Sequence, residues 1–216
     1  MVIERVAHSI SLFGPISAKR TQRPDDDVSA YCGIRTNDAL RQGEILHDLT
    51  YYGVGFDAEN QQTPFLASGD ISYAVIMTPD CDLWQDFRST SNDKDSKLFS
   101  ILLFGAEESS QVKQRLNYNK AVWDRVENNQ LEQFQFLDEI APGDGIVPGG
   151  TPKLVIDFKR YFTLPTKEIY RQLRFPNDVR PCQRLCRLTD LWRENLQRRA
   201  MSYMQRVGLP DPSDRR

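Results

Sequence analysis

The chain has 216 residues, in which 28 Lys and Arg nearly balance 30 Asp and Glu, and hydrophobic residues make up 39%. This composition excludes a disordered chain, which has too few apolar residues to build a core, and a collagen repeat, which needs Gly at every third position. No apolar run approaches the roughly 18 residues that a membrane span requires, and the first residues do not form an export signal. We therefore expect a cytoplasmic protein of one domain, or one domain with a helical appendage, and no contact with membranes.

The charges are distributed unevenly along the chain. Residues 153–216 contain 15 Lys and Arg against 7 Asp and Glu, whereas residues 1–152 contain 13 and 23. A basic C-terminal end indicates a nucleic acid or an acidic protein surface as the partner. The alternative is that the basic segment packs against the acidic body of the same chain, and the sequence leaves both open.

The first half of the chain is predicted to contain an irregular arm followed by strands. Residues 1–33 have little periodicity, which is typical of a solvated segment. Apolar and β-branched residues predict one or two strands over 40–54, and the run 71–78 is the clearest strand because it is mostly apolar and stops at a proline. The polar stretch 57–70 is predicted to be a loop.

The second half is predicted to contain more helix. Residues 88–97 are hydrophilic and predict a surface excursion, after which 98–104 form a buried strand that ends before the next glycine. The spacing of apolar residues favours one helix over 106–130, and two short strands follow at 134–137 and 154–158.

The C-terminal end is predicted to finish in helices. Residues 163–168 are typical of the turn into a short helix. A longer helix is expected after Thr189, a candidate cap, because apolar side chains repeat there every four residues. Gly208 and Pro210 provide the stop signal.

The order of these elements predicts an α+β fold, a small, partly open β-barrel with a mid-chain helix and C-terminal helices. We expect an irregular N-terminal arm over 1–33 and a β-barrel domain with an inserted helix over 34–165. A basic helical segment over 166–216 is expected to pack on the barrel.

Two short motifs resemble those of a known family. Residues 41–46 (Arg-Gln-Gly-Glu-Ile-Leu) and 73–79 (Tyr-Ala-Val-Ile-Met-Thr-Pro) are similar to strands of the MazF/PemK endoribonuclease toxins. The resemblance implies an SH3-like barrel and metal-independent cleavage of RNA by Arg41 and Thr78. Those toxins also carry an Arg directly before the second strand, whereas this chain has Gly-Asp-Ile-Ser at 69–72.

The chain also resembles a group of uncharacterised bacterial proteins. The shared features are an Asp-Cys-Asp-Leu motif after an apolar strand (80–83), an Ile-Asp-Phe strand (156–158) and a helix that ends Arg-Val-Gly-Leu-Pro (206–210). Such proteins are similar to accessory components of mobile or anti-phage loci. The resemblance therefore implies a defence context, such as a CRISPR or toxin–antitoxin-like system.

The motif Asp80-Cys81-Asp82 lies where a buried strand is expected to leave the sheet. In one interpretation the two carboxylates bind a divalent cation or an RNA 2′-hydroxyl, and Cys81 is a nucleophile whose base is His47. In the other, Asp80 caps the turn, Cys81 is buried, and Asp82 pairs with an Arg such as Arg41. We favour the second, because no further acid–base cluster is evident.

The remaining cysteines predict free thiols. Cys182 and Cys186 are four residues apart, a spacing that on a helix places both on one face. A zinc site would need Cys32, Cys81 or His47 to complete its ligands, and structural zinc sites usually bring two close cysteine pairs. We therefore expect no metal and no cofactor.

Arginine and aromatic residues are interleaved in the C-terminal segment. Such a pattern predicts a surface that tracks phosphates or contacts a partner protein. The residues expected to do so are Arg184, Arg187, Arg193, Arg198 and Arg199.

The first functional hypothesis is a non-enzymatic accessory or adaptor protein of a prokaryotic defence-type system, which binds a protein or ribonucleoprotein partner. The alternative is an endoribonuclease of the toxin type that uses Arg41 and Thr78. A third hypothesis is a thiol or zinc site at Cys81. No feature of the sequence indicates a small-molecule substrate.

Overall fold

A computed structural model describes residues 29–35, 39–56, 64–92, 94–174 and 182–206. Within these ranges the chain forms seven strands and five helices. In chain order they are β1 (Tyr31–Cys32), β2 (Glu44–Phe56), β3 (Pro64–Ile76), α1 (Asp80–Thr90), β4 (Ser100–Glu108), α2 (Ser109–Leu116), α3 (Lys120–Glu127), β5 (Phe134–Leu137), β6 (Leu154–Pro165), α4 (Thr166–Arg174), β7 (Gln183–Leu188) and α5 (Asp190–Met204).

The strands form one curled, open sheet in the order β1-β7-β2-β3-β4-β6-β5. Every neighbouring pair is antiparallel. The sheet is open because β1 and β5 lie at its two ends. The predicted α+β class with a partly open barrel is confirmed at this level, and the SH3-like detail stays a prediction.

The central strands are buried on both faces. Ile45 of β2 packs in one cluster with Leu196 of α5, whereas the next residue, Leu46, packs in another with Leu83 of α1 and Ile169 of α4. Helix α5 therefore covers one face of the sheet, and α1 and α4 cover the other. A strand covered on both faces has no polar side, which is why the sequence shows its central strands as apolar runs.

The single helix predicted over 106–130 is wrong. The residues up to Glu108 extend β4 past Gly105 and pair with β6 after a bulge. Helix α2 ends at Asn117, whose φ of 47° is left-handed, and α3 begins after Asn119, whose side chain accepts a hydrogen bond from the Val122 N–H. The two short helices pack with β5 and β6 in a smaller third cluster.

The loop predicted over 57–70 is wrong from residue 64 on, and residues 57–63 lie outside the described residues. Residues 64–70 belong to β3, and β2 pairs with β3 from His47↔Tyr73 out to Phe56↔Pro64. The surface excursion predicted over 88–97 also begins too early, because α1 continues to Thr90. Polar composition misled the prediction in both places, since a strand or helix that faces solvent need not be apolar.

The segment 166–216 is not wholly helical, because β7 lies inside the sheet between β1 and β2. The helix predicted after Thr189 is confirmed as α5, but the Thr189 side chain does not cap it. Residues 1–28 of the predicted arm, and the stop signal at Gly208 and Pro210, lie outside the described residues. None of the helices in the described ranges is long and apolar enough to cross a membrane.

Candidate functional site

Asp80 joins three parts of the fold. Its Oδ1 accepts a hydrogen bond from the Gln42 N–H at 2.7 Å, and its Oδ2 accepts one from Arg193 at 2.6 Å. Gln42 precedes β2, Asp80 begins α1, and Arg193 belongs to α5. The carboxylate therefore fixes two helices against the turn into a central strand, which is a structural task.

The nucleophile arrangement expected at Cys81 is not formed. Cys81 is exposed rather than buried, and its thiol contacts the neighbouring Asp82 carboxylate. His47 instead contacts the Tyr73 ring and Asp48, so the structure does not join it to Cys81. Arg41 lies over the Trp84 ring at 5.5 Å and forms no ion pair with Asp82.

The thiols of Cys182 and Cys186 are poor nucleophiles and poor metal ligands. Cys182 and Cys186 flank and occupy β7, not a helix, and both are buried and unbridged. Burial raises the pKa of each thiol to about 12, so neither is a thiolate near neutral pH. Among the described residues, no group of three or more His, Cys, Asp and Glu is placed to hold a metal ion.

Thr78, the second residue of the toxin-like pair, is buried at the junction of β3 and β4. Its hydroxyl oxygen accepts the Leu102 N–H at 2.7 Å, next to a backbone bond from the Met77 N–H to the Leu102 carbonyl. The side chain thus closes the sheet at this point. The hydrogen bond of the Thr78 hydroxyl is thus with Leu102, whereas Arg41 lies over the Trp84 ring.

Several of the arginines predicted to bind a partner are occupied within the chain. Arg184 is almost fully buried and makes a two-pronged ion pair with Glu44, with both N–O distances at 2.8 Å. Arg199 donates to three backbone carbonyls, those of Asn129, Leu131 and Phe134. Arg193 is held by Asp80. These contacts support the alternative in which the basic segment packs on the body of its own chain.

The two other predicted arginines lie nearer the surface. Arg187 is 3.8 Å from the Asp190 carboxylate. Arg198 is exposed and contacts the Asn195 side chain at 3.5 Å. Two arginines of this kind do not form the continuous basic stripe that the sequence suggested.

The most unusual surface is the outer part of the β2–β3 hairpin. We call residues 49–56 and 64–71 the ribbon, because they pair only with each other. Strand β7 accompanies β2 only from Glu44 to His47, and β4 accompanies β3 only from Tyr73 to Ile76. Only the base of the ribbon is packed, where Leu49 is buried and the Tyr51 ring contacts that of Phe162, so its outer part has little to stabilise it alone.

One face of the ribbon carries exposed apolar side chains. Val54 pairs directly with Leu66, and these side chains are 68% and 75% exposed. Phe56 is 58% exposed and Tyr52 lies beside them at the same two-residue period. On the opposite face the ring of Phe65 lies over Gly55 and that of Tyr51 over Gly53, positions where a side chain would collide with the ring.

One edge of the ribbon is held at its base and open beyond it. The Gln172 amide of α4 accepts the Thr50 N–H at 2.9 Å and donates to the Thr50 carbonyl at 2.8 Å. The Thr50 backbone groups therefore point away from β3, and the alternation of an antiparallel pair directs those of Tyr52 and Val54 the same way. The described residues place no third strand beside them.

Sequence reasoning predicted the first strand of the ribbon as far as residue 54 but assigned the start of the second, residues 64–70, to a loop. A strand that faces solvent on both sides shows no alternation of apolar and polar residues. Glycine is a signal for turns, so the glycines of such a strand favour the prediction of a loop. The one signal present in the sequence is the density of aromatic and branched residues at 51–56 and 64–66, which is high for a surface loop.

Comparisons of this chain with protein-family models, with curated proteins and with solved structures found no match.

Proposed function

We propose that the protein is a binding protein that works as an adaptor, and that its ribbon docks onto a protein partner with an apolar, uncharged surface. One observation carries the proposal: the ribbon exposes large apolar side chains on two strands that no third strand of the described chain flanks. Exposed apolar patches of this kind on a folded protein mark interaction sites.

The size of the patch suits a protein interface. Taking about 200 Å² for a large side chain and the observed exposures, the four exposed side chains on one face offer on the order of 450 Å² of apolar surface. A standard interface buries roughly 800 Å² on each partner. The residues concerned are Tyr52, Val54, Phe56 and Leu66.

The charge of the ribbon favours protein over nucleic acid. Asp70 is the one charged residue within 49–56 and 64–71. Affinity for RNA or DNA rests largely on Lys and Arg that neutralise phosphates, and the ribbon has neither. The aromatic rings are therefore better explained by an apolar protein surface than by stacked bases.

The open edge defines what the partner contributes. The outward backbone groups of Tyr52 and Val54 can pair with a partner strand, while Val54 and Leu66 enter apolar pockets between its side chains. Strand addition would also supply the third strand that the ribbon lacks. The defence context, the ribonucleoprotein partner and the SH3-like comparison remain predictions, and no contact of Arg41 or Thr78 favours the nuclease alternative.

The test compares tagged wild-type protein with a Val54→Ser/Leu66→Ser variant, recovered from the native host after RNase treatment. Both side chains are exposed, so the free energy of unfolding of the variant is expected to be within about 1 kcal/mol of wild type. Loss of the two apolar contacts costs about 2–4 kcal/mol of binding, or about 30- to 1,000-fold in Kd. A stoichiometric partner seen with wild type should therefore be missing with the variant.

The matched control is Leu191→Ser, because Leu191 is also exposed but lies on α5. This variant should retain the partner. Recovery of RNA with no protein, or equal recovery of the partner with all three proteins, would contradict the proposal.

A further inference from the structure

A cavity of about 500 Å³ lies between α1, the segment 94–96 and α4. Its wall includes Tyr170, Asp86 and Thr166, and the last two residues are 1% and 2% exposed. No residue of the ribbon lines it.

Three residues that line this cavity each carry a buried polar atom without a hydrogen-bond partner: Asp86 Oδ2, Thr166 Oγ1 and the Tyr170 hydroxyl. The other Asp86 oxygen is occupied, since it accepts from the Ser96 hydroxyl and the Leu98 N–H. Leaving a buried polar atom unpaired is costly, and native proteins keep few of them. Three around one cavity point to a ligand that supplies the missing partners.

The rim of the cavity is basic. Lys94, Lys167 and Arg174 line it together with Arg171, which is paired with Glu168, and one carboxylate, Asp95, also faces it. Helix α4 has nine residues and begins at Thr166 on this wall. The positive end of its dipole and the cations favour an anionic group at the rim.

We propose that this cavity binds a small phosphate ester that also carries free hydroxyl groups, in the class of a phosphorylated sugar. The hydroxyls donate to Asp86 and exchange hydrogen bonds with Thr166 and Tyr170. The phosphate lies at the basic rim, which runs from Lys167 in the first turn of α4 to Arg174 in its last turn. The volume is within the range of small-molecule sites.

The experiment is calorimetric titration of the full chain with ribose 5-phosphate, with ribose and with inorganic phosphate. Ribose 5-phosphate should bind at least about 10-fold more tightly than either fragment. Only this molecule can contact both the unpaired polar groups of the cavity wall and the basic rim. Binding should also weaken with added salt, since the rim attracts the phosphate through its charge.

Thr166→Val separates ligand binding from folding. The variant removes a hydroxyl that has no partner in the free protein, so its melting temperature should match or exceed that of wild type. Affinity for ribose 5-phosphate should fall about 3- to 10-fold, the effect of one lost hydrogen bond.

The rim is tested with Lys167→Ala/Arg174→Ala, which should lose about 10-fold or more in affinity for ribose 5-phosphate while ribose binding is unchanged. Arg198→Ala, an exposed arginine on α5, is the matched control and should bind as wild type does. The proposal is overturned if none of the three probes binds, if inorganic phosphate binds as tightly as ribose 5-phosphate, or if Thr166→Val leaves affinity unchanged.

Discussion

Removing only one partner of the Glu44–Arg184 ion pair is expected to destabilise the fold strongly. Glu44 is fully buried and Arg184 nearly so, and two hydrogen bonds join the carboxylate to the guanidinium. Arg184→Met keeps much of the side-chain volume but leaves the Glu44 carboxylate without its counter-ion. A broken buried pair costs about 3–5 kcal/mol, since an uncompensated charge remains in the core.

The double variant Glu44→Leu/Arg184→Met removes both charges together. Replacing a buried ion pair by apolar residues of similar volume is often close to neutral, so this variant should be within about 2 kcal/mol of wild type. The double variant is therefore expected to be more stable than Arg184→Met alone. Such a result would show that the arginine serves the core and not a partner.

The pH dependence has a definite sign. Burial raises the pKa of Glu44 above its ordinary value of 4.5, and Arg184 opposes that rise. A carboxyl group with a raised pKa contributes stability that is present below the unfolded-state pKa and is lost as pH rises through the folded-state pKa. Because Arg184→Met raises the folded-state pKa further, its deficit should widen as pH increases above about 4.5 and narrow in acid.

Urea unfolding of the wild type, the single variant and the double variant measures these free energies. A loss below about 1 kcal/mol for Arg184→Met at pH 7 would refute the reasoning, because a broken buried pair should cost more. So would a double variant less stable than the single one, or a deficit that grows in acid.

Two other contacts give predictions of the same kind. Arg199→Ala should cost about 2–4 kcal/mol of unfolding free energy, because it leaves three carbonyls without their donor. Thermal unfolding measures this, with the exposed Arg198→Ala as a control whose melting temperature should stay close to that of wild type. Equal melting temperatures for the two variants would contradict the prediction. Asp80→Ala should cost about 1–3 kcal/mol through loss of its bonds to Gln42 and Arg193; an unchanged urea midpoint would show that Asp80 does not join the helices to the sheet.

The sequence predicts the covered part of the sheet well. The run 71–78 is apolar because both of its faces are packed, and burial of that kind leaves a direct mark on composition. Helix α5 is predictable for a similar reason, since Leu196 and Ala200 face the sheet at helical spacing.

The tasks of the arginines could not be predicted in the same way. Arg184 and Arg198 are the same residue type in one basic segment, but the first meets Glu44, which is 140 residues earlier in the chain, and the second faces solvent. Only the fold shows which arginine has a buried counter-charge. The cavity is similar, because Asp86 and Thr166 come from helices far apart in sequence and neither belongs to a recognisable motif.

The central claim is that the ribbon carries the partner-binding surface, and site-specific photo-crosslinking in the native host tests it most directly. One chain carries the photo-reactive residue at Leu66 in the ribbon, and the other carries it at Phe99, which is 87% exposed but lies outside the ribbon. We predict a discrete crosslinked protein from position 66 that resists RNase and is missing from position 99. Crosslinks of equal yield from both positions, or crosslinks to RNA alone, would contradict the account.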